Sequence, residues 1–79
     1  MSLKEQIGYN ITVKRAEAGF TQQQVADMLK MSRASIVNIE AGRQALSVQR
    51  LYEICAAIGA NIPDVQPPPP IPLEIRDQR

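Results

Sequence analysis

The 79-residue sequence has no histidine, no tryptophan and a single cysteine, and these gaps remove whole classes of chemistry. Without histidine a metal site has almost no ligands, and a lone Cys55 cannot close an intramolecular disulfide. Cys55 falls at an apolar helical position, where a free thiol ordinarily behaves as a small buried hydrophobe. There is also no nucleophile–base pairing and no glycine-rich phosphate loop, so neither an enzyme nor a bound cofactor is expected. Aromatic residues are 4% of the chain against 44% apolar residues in all. The core must therefore be aliphatic, and few β-branched runs favour building it from helices. No run of about 18 apolar residues exists to span a membrane, and no basic start with an apolar middle marks a signal peptide. A cytoplasmic chain with no membrane partner is the expectation.

An excess of one charge is missing too. Nine Lys and Arg stand against eight Asp and Glu, a net +1, which is modest for a protein that must neutralise phosphates. Distribution then matters more than the sum. Lys30, Arg33 and Arg43 flank one segment, whereas Glu5, Glu17, Glu53 and Asp64 lie elsewhere in sequence. The length makes one small domain whose single core is only marginally sufficient.

What the chain does have is a series of short amphipathic segments with start and stop signals. Ser2 with Glu5 three residues on forms a capping box for a first helix over residues 2–18, with Leu3, Ile7, Ile11 and Ala18 on its apolar side and Gly19 as terminator. Gly8 inside that helix costs about 1 kcal/mol relative to alanine, which a close packing contact would explain. Phe20 reads as a core plug beneath the next helix. Thr21 and Gln24 form a second capping box, and Val25, Ala26, Met28 and Leu29 supply an apolar face. The helix over about 21–29 stops near Leu29, because Ser32 opens another over about 32–40. Leu46 can staple onto Leu51 ahead of a Ser47 cap, and Val48, Leu51, Ile54, Cys55 and Ile58 then run as a stripe to Gly59. Tyr52 reads as a rim residue with a buried ring and a wet hydroxyl. Asn61 and Pro63 can start a fifth helix that proline soon forbids.

Pro67-Pro68-Pro69-Pro70 and Pro72 mark a composition boundary, beyond which the sequence favours polyproline II. The expected fold is all-α: a four-to-five-helix domain over 1–66 and a proline-rich tail over 67–79, either flexible or docking on a partner subunit. Leu73 and Ile75 alternate with polar residues there, as in an added strand.

The segment from Thr21 to Gly42 is the centre of this plan. Its two helices are joined by a turn tight enough to fix their crossing. Ile36 and Ile39 fall three apart and reach one side, while Arg33, Ala34, Val37 and Asn38 project on the other. That outward side is short, small and hydrogen-bonding, as suits a helix entering the major groove of double-stranded DNA. Geometry alone leaves ordinary helical packing open. The residues narrow it: Gln22, then Val25-Ala26, a short turn, Ser32, then Ile36, Ile39 and Glu40-Ala41-Gly42 together resemble the helix-turn-helix of the Cro and lambda-repressor family, also called the XRE family. The run IGYNITVKRAEAGFTQ is similar to the same pattern. Two positions depart from it: Lys30 stands where glycine is usual in the turn, costing about 1 kcal/mol if the backbone is left-handed, and Lys14 stands where an apolar residue is commoner.

The resemblance implies a lambda-repressor-like fold and a sequence-specific transcriptional regulator, a repressor binding a palindromic operator as a homodimer. It implies that Arg15 pairs with Glu40 to set the angle of the recognition helix. By residue chemistry Arg33 is the foremost base reader, able to take guanine O6 and N7 together, and Asn38 suits adenine. Ser32, Ala34 and Val37 complete the base-reading set, and Gln22, Lys30, Ser35 and Arg43 the phosphate set. The alternative is an antitoxin-like or adaptor protein whose main partner is another protein.

Overall fold

Four hydroxyls begin four helices. Ser2, Thr21, Ser32 and Ser47 each accept the backbone N–H of the residue three places on, namely Glu5, Gln24, Ser35 and Arg50. Each such cap stabilises its helix by about 1 kcal/mol. In the computed structural model, which describes residues 1–67, these caps open α1 (Leu3–Glu17), α2 (Gln22–Leu29), α3 (Arg33–Glu40) and α4 (Val48–Ile58), and a single turn, α5 (Ile62–Val65), follows. No strand occurs among the described residues. The proline-rich tail lies, from Pro68 onward, outside them.

The Ser2 and Thr21 caps are reciprocal, with Glu5 and Gln24 taking the N–H of their own cap residues at 2.8 Å. The Ser2 N–H, and after it the Ser2 hydroxyl, hold the Glu5 carboxyl below its ordinary range. Gly59 ends α4 in the left-handed conformation that its missing Cβ allows. At α5, Asp64 accepts the Asn61 N–H, and the chain then leaves helix at Gln66 with ψ 121°. The cause is local, since the ring of Pro67 disfavours helical backbone in the residue before it.

The core is aliphatic. Ile11, Val25, Ala26, Ile36, Ile39, Ile54, Cys55, Ile58 and Val65 are buried, with Ile7, Phe20, Leu29, Met31, Leu46 and Leu51 packed around them. Burial, and after it Asp64, push the Cys55 thiol up from its ordinary value. In this arrangement α2 packs on α3 and α4, and α1 packs on α3 and α5. Asn10 Nδ2 donates to the Val65 carbonyl at 2.9 Å and pins the end of the domain to α1.

Several residues assigned to apolar faces are outside the core. Met28 is 46% exposed, because the α2 stripe is centred on Val25, Ala26 and Leu29 and helical rotation carries Met28 roughly 100° away from it. Leu3 and Val48, in the first turns of α1 and α4, are 62% and 72% exposed. Ala18 is exposed as the C-cap of α1. Tyr52 is 59% exposed and keeps much of its ring in water, against the buried ring expected. Phe20 is only half-buried.

Candidate nucleic-acid interface

The α2–α3 turn depends on one residue. Lys30 ends α2 with φ 56° and ψ 42°, a positive φ that no other non-glycine residue has among those described. A side chain in that region costs about 1–2 kcal/mol. The conformation lets the Met31 N–H reach the Ala26 carbonyl at 2.9 Å, and it leaves the Lys30 side chain exposed. Two residues later Ser32 caps α3.

Ile36 and Ile39, each 2% exposed, anchor α3 from beneath. Behind its C-terminal end lies a satisfied polar cluster. Glu40, whose side chain is 5% exposed, accepts Arg15 Nε on Oε2 at 2.6 Å and Arg15 Nη2 on Oε1 at 3.0 Å. Gln22 Nε2 and the Thr12 hydroxyl also donate to Glu40 Oε1, at 3.1 and 3.0 Å. Arg15 Nη1 donates to the Phe20 carbonyl at 2.7 Å. Glu40 thus ties α3 to α1 and to the first residue of α2, and Arg15 ties both to the loop between those helices. A two-pronged guanidinium–carboxylate pair specifies angle as well as distance, so this cluster holds the pose of α3.

Gly8 completes the junction. A Cβ there would sit 2.6 Å from the Glu40 carbonyl oxygen, so only glycine lets α1 and α3 approach this closely. Gly8, Thr12 and Arg15 follow spacings of four and three, which place them on one side of α1. That spacing was the sequence signal for Thr12, which sequence reasoning left out of the site.

On the solvent side of α3, Ser32, Arg33 and Ala34 are exposed, and Ser35, Val37 and Asn38 are half-buried. Arg33 makes no ion pair or hydrogen bond to the described residues, so its donors are free, and it lines a cleft with Gln22 at the start of α2. Ser32 donates its hydroxyl hydrogen to Ser35 Oγ at 3.0 Å, which leaves the Ser35 hydrogen free to point outward. Asn38 is less open than the sequence suggested: its Oδ1 accepts Arg43 Nε at 3.2 Å, and its carbonyl accepts the Arg43 and Gln44 N–H groups. Those three bonds fold the loop after α3 back against the helix. Gln22 also differs, since one amide hydrogen turns inward to Glu40 rather than out.

A polar groove beside this face was not anticipated. Lys30, Ser35, Gln44, Ser47 and Arg50 line it, at the start of α4, where backbone N–H groups point outward. Arg50 is partly engaged by Glu53 at 3.0 Å. Among the described residues no cluster of three or more His, Cys, Asp or Glu gathers to hold a metal, and no helix is long and apolar enough to cross a membrane.

Comparisons with known proteins agree with this architecture. An uncharacterized HTH-type transcriptional regulator of Sinorhizobium fredii, y4dJ, is 31% identical over 61 residues, covering 77% of this chain and 79% of that protein. The structure of ClgR, the clp gene regulator of Corynebacterium glutamicum, superposes with a TM-score of 0.79 at 31% identity, over 82% of this chain and 84% of that one. The restriction-modification controller protein C.AhdI of Aeromonas hydrophila shares the fold, with a TM-score of 0.72 over 77% of this chain and 92% of that one at 16% identity. The model of the Helix-turn-helix family matches residues 13–65, which include α2, α3 and the Arg15–Glu40 pair, and the chain therefore belongs to the XRE-type helix-turn-helix family.

Proposed function

We propose that the protein is a sequence-specific DNA-binding transcriptional regulator, a repressor that binds double-stranded DNA as a homodimer on a palindromic operator. The observation that carries this reading is α3: a helix with Arg33 free on its outer side and its inner side fixed by Ile36, Ile39 and Glu40. The names of y4dJ and ClgR, both regulators, support it. A family of such regulators is not one of enzymes.

In this reading α3 enters the major groove, and Arg33 takes guanine O6 and N7. Ser32, Ala34, Val37 and Asn38 complete the base-edge contacts. Lys30, Ser35 and Arg43 sit around the helix for phosphate, and Gln22 uses its remaining amide hydrogen for the same purpose while Glu40 holds the other. One subunit carries few free cations near α3, so binding strong enough to regulate needs two. Half-sites about 34–36 Å apart follow from the two-fold axis. Bound across a promoter, such a dimer represses by excluding polymerase.

Selection of bound fragments from a random DNA pool, followed by gel shifts across salt concentrations, tests this. The expected result is a palindrome with half-sites one turn apart, and a log–log salt slope of about −3 to −4 for two phosphate-bound cations per subunit. No sequence preference together with a flat salt response would leave only a protein-interaction role, as in an antitoxin-like or adaptor protein.

A further inference from the structure

The largest cavity among the described residues takes no part in this DNA reading. It is an apolar groove of about 590 Å³ between the first turns of α1 and α4 and the end of α5, with Leu3, Ile7, Leu46, Val48, Tyr52 and Pro67 in its walls. Leu3, Val48 and Tyr52 are the residues that leave the core and stay more than half exposed. A concave apolar patch on a domain this small marks a docking surface.

The sequence identifies an occupant. Gln66 and Pro67 form part of the groove wall, and the chain continues Pro68-Pro69-Pro70-Ile71-Pro72-Leu73-Glu74-Ile75. Ile71, Leu73 and Ile75 alternate, so an extended backbone places all three on one side. They form the apolar set of a segment that is too short to build a core of its own. Their own groove is the wrong receptor. Proline fixes φ and keeps the residue before it extended, so residues 67–72 favour a stiff polyproline rod rising about 3.1 Å per residue. Leu73 then stands roughly 19 Å from a groove wall that contains Pro67, with no turn to bring it back.

We propose that the groove of each subunit receives residues 71–75 of a second copy of the chain, and that this reciprocal exchange holds the homodimer. The exchange is isologous: each copy gives one segment and one groove, and both interfaces close around one two-fold axis. It names the surface for the dimer proposed above and rests on that dimer, not on the DNA reading.

Light scattering and sedimentation of the full chain test it. Leu73→Asp with Ile75→Asp, and separately Val48→Asp, should each raise the dimer dissociation constant roughly a hundredfold or more, since each puts a charge where apolar burial is required. Helical circular dichroism should not change, because none of the three belongs to the described core. A dimer indifferent to both changes overturns the exchange while leaving a dimer by another surface. A wild-type chain that stays monomeric overturns both. Disulfide trapping in a Cys55→Ala background decides whose segment is bound. Chains carrying Tyr52→Cys mixed with chains carrying Leu73→Cys should cross-link to each other, whereas bonding only within a chain that carries both changes would overturn the exchange. DNA binding is scored separately, so its failure bears on the regulator reading alone.

Discussion

The two ends of this small domain treat their side chains in opposite ways. At the junction of α1, α2 and α3, polar groups have been brought inside and their bonds completed: Glu40 accepts from Arg15, Gln22 and Thr12, and no buried polar side-chain atom among the described residues lacks a partner. At the junction of α1, α4 and α5, apolar groups have been left outside around a groove. The first arrangement spends interior hydrogen bonds on holding one helix at one angle. The second leaves hydrophobic surface unsatisfied, which on a soluble domain invites another surface to cover it. Rigid geometry suits a helix that must fit a groove in DNA, and loose apolar surface suits assembly.

Removing Arg15 is the strongest way to break that contrast. Arg15→Ala should cost about 3–5 kcal/mol, because it strands the Glu40 carboxylate in a site where its side chain is 5% exposed. A thermal melt followed by circular dichroism should fall by roughly 15 °C or more. Replacing both partners, Arg15→Met with Glu40→Leu, should cost less than either single change. A double variant no milder than the singles would mean that the pair matters for its packing rather than its charge.

Gly8→Ala comes next. The added Cβ meets the α3 backbone near the Glu40 carbonyl, and this clash should outweigh the roughly 1 kcal/mol of helix propensity that alanine gains, for a net loss of about 1–3 kcal/mol. A urea midpoint that rises instead would show that α1 and α3 can separate freely.

Arg33→Ala sharpens the comparison from the outer side. Stability should stay within about 0.5 kcal/mol, as for an exposed residue without partners. Operator affinity should fall by about 1–3 kcal/mol with relaxed preference at one base pair. Quantitative footprinting on the selected operator checks it, and an unchanged footprint removes Arg33 from the base readers.

The smallest effect belongs to Lys30→Gly. Relief of the left-handed backbone should stabilise the domain by about 0.5–1 kcal/mol, read from the same melts. Affinity for DNA should fall slightly with the lost cation, so stability and binding move in opposite directions.

Much of this fold was legible in the chain because its signals are local. Ser2, Thr21, Ser32 and Ser47 mark helix starts through hydrogen bonds that reach only three residues, and Gly59 and Pro67 mark ends through their own backbone limits. The positions of Val25, Ala26, Ile36 and Ile39 followed from helical period alone. The Arg15–Glu40 contact was different. It spans 25 residues, so no periodicity reveals it, and only the family pattern drew attention to those two positions. Thr12 and the inward bond of Gln22 escaped for the same reason, although the Gly8, Thr12, Arg15 spacing hinted at a shared face.

Sequence by itself, then, determined where each helix begins and ends, that its core would be aliphatic, and which side chains α3 could offer outward. Such properties depend on neighbours three or four residues apart, and the chain carries them before it folds. Tertiary structure decided which apolar residues found cover. Leu3, Met28, Val48 and Tyr52 differ little in character from their buried neighbours, and only the way five short helices meet left these four in water. The same meeting turned Gln22 partly inward, tied Asn38 to Arg43, and made a groove of residues that sequence had assigned to the core.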